Sequence, residues 1–122
     1  MKLKYILLLL ILSILSSCKH SGDVKISVKD TDDEYTFTAY FDEKKTDDII
    51  KVIDQNIAPT TISSDEDEID ITTTLDDKTK FDLQYSPGDV VIKLNKNENS
   101  KSSYLRIKKM CEEIKSAIGI KQ

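Results

Sequence analysis

The chain contains few side chains with the chemistry of a catalytic centre. Of its 122 residues, one is a histidine, His20, and two are cysteines, Cys18 and Cys111. A Ser/His or Cys/His nucleophile pair needs a histidine that the fold holds in place, and a typical zinc site needs one as a ligand. His20 lies two residues from Cys18 in a short polar segment, so it cannot be held in such a geometry. The sequence therefore predicts no catalytic, cofactor-binding or metal-ligating residues.

Carboxylates are abundant, and their densest run is Asp65-Glu66-Asp67-Glu68, which Asp70 follows closely. Such a run can supply some of the six to eight oxygens that calcium takes, but it lacks the glycine and glutamate spacing of an EF-hand loop. We interpret it as a solvated loop before a strand, with weak divalent binding as the alternative. Paired carboxylates hydrolyse glycosides without histidine, yet nothing in the sequence selects a pair.

The first cysteine, Cys18, closes a distinctive N-terminal segment. Lys2 and Lys4 precede an apolar run over residues 5–12, and the run leads to Leu15, Ser16, Ser17 and Cys18. As a helix, residues 5–15 would span roughly 16 Å, about half of a ~30 Å hydrocarbon core, which is too short for a membrane span. The segment resembles the signal peptide and lipobox of bacterial lipoproteins. The alternatives are an ordinary signal peptide cleaved near Ser17 and an uncleaved anchor.

The resemblance implies that residues 1–17 are removed and that Cys18 carries a diacylglyceryl group and a further acyl chain such as palmitate. Each buried methylene contributes about 0.8 kcal/mol, so two or three chains would anchor the protein firmly. By the same resemblance, Lys19 favours the outer membrane over the inner membrane. The acidic pair of a surface-export signal is missing after Lys19, so we expect a domain that faces the periplasm.

Composition limits the partners of the mature chain. Removing residues 1–17, which hold two lysines and no acidic residue, changes the net charge from −4 to −6. An acidic domain does not suit nucleic acid, whose phosphates need clustered cations. Cys18 would carry the lipid through its sulfur, so Cys111 would have no cysteine in the same chain with which to form a disulfide. We interpret Cys111 as a small buried hydrophobe, with a reactive thiol or an intermolecular bridge as the alternatives.

The hydrophobic pattern predicts one domain over residues 24–119, preceded by a leash at 18–23 and followed by a tail at 120–122. Five segments alternate apolar and polar residues as strands do. They begin near Val24, Glu34, Ile69, Lys80 and Val90, and Tyr40 and Val91 are the apolar exceptions on their polar faces. Pro87-Gly88 has the residues of a type II turn.

Two segments follow helical spacing instead. The first contains Ile49, Ile53 and Ile57, has Thr46 as a predicted N-cap and should end before Pro59. The second steps through Tyr104, Ile107, Cys111, Ile114 and Ile118, with Gly119 as its C-terminal stop. The order β-β-α-β-β-β-α predicts an α+β sandwich of two layers, in which both helices cover one face of a five-stranded antiparallel sheet.

Three turn and loop segments resemble small Bacteroidetes lipoproteins that have no assigned function: residues 75–81, Ser86-Pro87-Gly88, and Asn99-Ser100 ahead of Tyr104. The resemblance implies a shared fold and transfers no site residues. We expect a non-catalytic binding or scaffolding module that is anchored to the cell envelope, reaches the membrane through Cys18 and contacts another envelope protein. The alternative is an immunity protein or inhibitor that neutralises a periplasmic toxin or hydrolase. A carboxylate-only enzyme is a third class, which would show a pocket lined by inward Asp or Glu side chains.

Overall fold

The computed structural model describes residues 23–62 and 64–119. Its strands are β1 (Lys25–Asp30), β2 (Glu34–Tyr40), β3 (Ile69–Thr74), β4 (Lys80–Ser86) and β5 (Asp89–Asn95), and its helices are α1 (Thr46–Ile57) and α2 (Lys101–Ile118). Short 3₁₀ turns, Glu43–Lys45 and Lys96–Glu98, precede α1 and α2. The predicted order β-β-α-β-β-β-α and the α+β class are confirmed.

The five strands form one open antiparallel sheet in the order β1-β2-β5-β4-β3. The last three strands form a meander, as their short connections predict. The last strand, β5, lies between β2 and β4, so Ile92 pairs with Phe37 on one side and with Leu83 on the other. This central position of β5 is a long-range pairing that the sequence pattern did not indicate.

The inner face of the sheet is the face that packs against both helices. Alternate residues of β2, β4 and β5 are buried there, including Phe37, Leu83 and Ile92, none of which has exposed surface. They form a single core with residues of both helices, such as Ile53 and Ile114. The opposite, outer face is polar and carries half-buried and exposed side chains.

The start of α1 differs from the prediction. The helix includes Thr46, and the residue at its N-cap position is Lys45, whose side chain makes no capping bond. The Thr46 hydroxyl instead donates to the carbonyl oxygen of Glu43 at 2.7 Å and accepts the N–H of Gly88 at 3.0 Å. The hydroxyl therefore ties the start of the helix to the β4–β5 turn, because a partner distant in sequence lies within its reach. The helix ends at Ile57, before Pro59, as predicted.

The predicted glycine positions are confirmed. Gly88 has φ 84° and Gly119 has φ 103°, both in the left-handed region where a side chain causes strain. Gly119 ends α2, and its N–H donates to the carbonyl oxygens of Lys115 and Ser116. At the other end of α2, the Ser100 hydroxyl accepts the N–H of Ser103 at 3.0 Å as the N-cap. No helix in the described part of the chain combines the length and the apolarity of a membrane span.

Candidate functional site

The residues with the strongest sequence signal, Leu15, Ser16, Ser17 and Cys18, lie outside the described residues, and so does His20. The chain enters the described domain at Asp23, two residues before β1. The structure therefore shows where a leash would join the domain: at the end of the sheet that also holds Tyr40 and the β4–β5 turn, since Lys25 pairs with Tyr40 and Tyr40 pairs with Asp89.

The acidic run is an exposed loop that leads into β3, as predicted. Asp65, Glu66, Asp67 and Glu68 are all exposed, and the Glu66 N–H donates to the hydroxyl of Ser64 at 3.2 Å. Within residues 23–62 and 64–119, no three His, Cys, Asp or Glu side chains come close enough to hold a metal ion.

Cys111 belongs to the core. Its side chain has no exposed surface, and it hydrogen-bonds with the hydroxyl of Tyr35, which is also buried. Burial raises the pKa of the Cys111 thiol to about 12, because the thiolate would lose its hydration there. Burial likewise raises the pKa of Tyr35. At neutral pH the thiol is neutral and enclosed, which is the opposite of what a nucleophilic cysteine requires.

A polar cluster joins the β1–β2 turn to the start of α2. The Lys96 ammonium lies 2.6 Å from the Asp30 carboxylate and 4.3 Å from the ring centre of Tyr104, whose hydroxyl donates to Asp30 at 2.5 Å. The Lys96 and Tyr104 hydrogen bonds lower the pKa of Asp30, and Asp30 in turn raises the pKa of Lys96. Both groups are therefore held in their charged forms, whereas a general base or acid needs a pKa near the working pH. This cluster fastens two elements together.

A second polar network includes the two buried polar side chains of the described domain, Thr79 and Ser103. The hydroxyls of Thr79 and Ser103 lie 2.7 Å apart and share a hydrogen bond. The Asp77 carboxylate accepts the N–H of Thr79 at 3.0 Å and pairs with Arg106 at 2.9 Å. Hydrogen bonds from the Thr79 hydroxyl and amide, with a further contribution from Arg106, lower the pKa of Asp77 to about 2. The network attaches the β3–β4 turn to the first turns of α2, and sequence reasoning missed it because its partners are far apart in the chain.

Side-chain hydrogen bonds cross the groove between the two helices. Arg106 of α2 donates to the carbonyl oxygen of Asn56 at 3.0 Å, and the Asn56 amide donates to Glu113 at 2.5 Å. These contacts bridge α1 and α2.

No helix in the described part of the chain covers the outer face of the sheet, whose side chains are half-buried or exposed. Its rows follow the strand register, so that Thr38 pairs with Val91, and Val91 pairs with Gln84. Tyr40 and Val91, the predicted exceptions, are diagonal neighbours on this face, and Tyr40 is 50% exposed. The face is polar and open, which suits contact with a protein surface rather than enclosure of a small molecule.

Both edge strands also leave apolar residues uncovered on the inner face. Val28 opposes the buried Phe37 but is 44% exposed, and Ile71 of β3 opposes the buried Leu83 but is 39% exposed. Two helices, each about 10 Å wide, cover about 20 Å, whereas five strands at about 4.8 Å spacing need about 24 Å. The alternation in β1 and β3 predicted buried faces, and this difference in width explains why they are exposed.

An acidic groove lies between α1 and the loop that follows it. Glu43, Asp47, Glu66 and Asp67 contribute to its lining, and all four side chains are exposed. The four carboxylates therefore lie at the solvent-exposed surface of this groove.

Comparison of the chain with family models, curated proteins and solved structures finds no match.

Proposed function

We propose that this protein is a lipid-anchored lipoprotein of the cell envelope, in which Cys18 carries the lipid and a non-catalytic domain binds another envelope protein. The lipobox pattern Leu15-Ser16-Ser17-Cys18 supports the anchor. The outer membrane, with the domain facing the periplasm, is the proposed location, because the residue that follows Cys18 is Lys19.

The observation that carries the binding role is the uncovered outer face of the sheet around Tyr40. Tyrosine is over-represented among the residues that dominate binding energy, because its ring provides apolar contact and its hydroxyl a polar one. Tyr40 is half exposed beside Val91, among threonine and lysine side chains. The titratable groups that the structure brings together elsewhere, Asp30 with Lys96 and Asp77 with Arg106, already fasten elements of the fold. This use of the polar groups supports a binding domain over an enzyme.

The anchor is tested by labelling cells with radioactive palmitate. Wild-type protein and the Cys111→Ser variant should both incorporate label and stay with the membranes after a salt wash. The Cys18→Ser variant should incorporate none and leave the membrane fraction. Firm membrane attachment of Cys18→Ser, or a wild type without label, would contradict the anchor.

The binding surface is tested with a matched pair of variants. Tyr40→Ala and Leu105→Ala each remove one large side chain of nearly equal exposure, 50% and 49%, from the sheet and from α2 respectively. After chemical cross-linking in intact cells and detergent extraction, the envelope protein captured by wild type should be lost with Tyr40→Ala and kept with Leu105→Ala. Equal capture by both variants would show that the outer face is not the binding surface.

The acidic groove favours a second candidate, neutralisation of a toxin or hydrolase whose active site is basic. Four carboxylates at the groove, Glu43, Asp47, Glu66 and Asp67, would complement such a site and speed encounter with it. A variant with all four changed to their amides should then lose protection of cells against the toxin, whereas Tyr40→Ala should keep it.

A further inference from the structure

The first edge strand, β1, directs a regular set of backbone groups away from the sheet. The Thr31 N–H donates to the Glu34 carbonyl at 2.9 Å and continues the register in which Asp30 pairs with Tyr35. Hydrogen-bonded and non-bonded pairs alternate along an antiparallel ladder. Odd-numbered residues of β1 therefore bond β2, and the N–H and C=O groups of Val24, Ile26 and Val28 face the free edge.

Residues 23–29 also divide their side chains between the two faces of the sheet. Val24, Ile26 and Val28 lie on the inner side; Val24 and Val28 are 41% and 44% exposed there, and Ile26 is half buried. We call these three residues the β1 ledge. Asp23, Lys25, Ser27 and Lys29 lie on the outer side, and all four are exposed.

We propose that a second copy of this chain pairs antiparallel with the free edge of β1, with the two Ile26 residues opposite each other on the two-fold axis. This register places Val24 opposite Val28, Lys25 opposite Ser27, and Asp23 opposite Lys29 of the second copy, and each pairing occurs again by symmetry. The three pairs within the β1 ledge are the hydrogen-bonded ones, because their backbone groups face the edge.

Charge and shape both select this register. The two Asp23–Lys29 pairs bring opposite charges together, and the two copies of the β1 ledge form one apolar row. A shift of two residues in one direction places Lys25 opposite Lys29, and a shift in the other places Lys25 opposite itself. Like charges that face each other destabilise a strand pair. A shift of one residue would turn the valines to the outer side.

The other edge of the sheet lacks this complementarity. The Leu75 N–H donates to the Thr79 carbonyl oxygen, so the odd residues of β3 bond β4 and the even residues face the free edge. The acidic side chains at this edge are Glu68, just before β3, and Asp70 within it, and the strand contains no lysine to pair with them. Pairing of β1 with β3 of another copy would be parallel, because both strands run in the same direction in the sheet. That contact leaves a free edge at each end and would build an open chain of copies.

Two lysine variants of similar exposure test which edge pairs. The full chain, Val28→Lys and Ile71→Lys are extracted in mild detergent and compared by sedimentation velocity over a range of concentrations. Wild type and Ile71→Lys should form the same dimer, while Val28→Lys should dissociate about tenfold more readily, because each dimer loses two cross-strand apolar pairs. A wild type that stays monomeric up to about 1 mM, weakening by Ile71→Lys instead, or a ladder of larger species would overturn the proposal.

Single cysteines test the register in intact cells, with wild type as the control for Cys18 and Cys111. Ile26→Cys should form a disulfide-linked dimer under mild oxidation. Ser27→Cys should not, since its copy lies roughly 7 Å further along the partner strand, beyond the reach of a disulfide. The reverse result would establish the shifted register and refute the one proposed.

A charge reversal tests the outer side. Asp23→Lys should weaken the dimer several-fold and make it more stable in high salt. Lys29 also pairs with Glu34 of its own chain at 2.7 Å, so Lys29→Asp is added together with Glu34→Lys, and this combination should restore the dimer. Asp76→Lys, an exposed change in the β3–β4 turn, should have no effect. Failure of this combined variant to restore the dimer would refute the Asp23–Lys29 pairing. None of these outcomes depends on the proposed lipid or on a partner at Tyr40.

Discussion

The buried hydrogen bond between Thr79 and Ser103 offers a direct test of how the β3–β4 turn is held. Thr79 has no exposed surface, and its hydroxyl lies 2.7 Å from that of Ser103. Valine has nearly the same shape, so Thr79→Val removes the hydroxyl without opening a cavity. We expect the free energy of unfolding to fall by about 1–2 kcal/mol, because the bond is lost and a buried polar group loses a partner.

The assay is urea denaturation of the purified protein, followed by circular dichroism. For a domain of this length, each kcal/mol lost lowers the melting temperature by about 4–8 °C. Thr74→Val, an exposed threonine of β3, should change stability by less than about 0.5 kcal/mol. Combining Thr79→Val with Ser103→Ala should show a coupling of about 1 kcal/mol. Additive losses, or a Thr79→Val variant as stable as wild type, would refute the reasoning.

Two further substitutions and one labelling experiment test the same structure. Gly88→Ala should lower stability by at least about 1 kcal/mol in thermal denaturation, because φ is 84° and a Cβ would lie 3.0 Å from the Phe41 carbonyl oxygen. Cys111 should react with a thiol reagent at pH 8 only after denaturation, and fast labelling of native protein would contradict its burial. Asp77→Asn should cost about 1 kcal/mol at pH 7, since half of the carboxylate is exposed and screened by water. That cost should vanish as the pH falls from about 4 towards 2, because a lowered pKa stabilises the fold only while the carboxylate is ionised. A pH-independent difference would show that ionisation plays no part.

The secondary structure could be predicted because it depends on residues that are neighbours in the chain. The two-residue alternation of Tyr35, Phe37 and Ala39 predicted β2, and the stripe from Ile107 to Ile118 predicted α2. Pro59 and Gly119 marked helix ends through their own backbone preferences. The prediction of Thr46 as an N-cap was wrong because the outcome depended on a residue distant in the chain. The Thr46 hydroxyl accepts the N–H of Gly88, which lies 42 residues away.

The candidate surfaces were only partly predictable. The position of Tyr40 on the outer face followed from alternation, but its neighbours on β5 did not. The exposure of Val28 and Ile71 could not be predicted, because the same alternation occurs in covered and uncovered strands. Cys18 remains a prediction from the sequence alone.

The sequence by itself determined which segments are strands and helices, which side of each is apolar, and the lipobox pattern that ends at Cys18. Only the tertiary structure decided that β5 lies between β2 and β4, that β1 and β3 are the edges, and that Thr79 reaches Ser103. Periodicity is a local property of the chain, whereas strand order and edge exposure depend on which distant segments meet when the chain closes on its core. A β1 strand placed at the centre of the sheet would have the same sequence and no free edge.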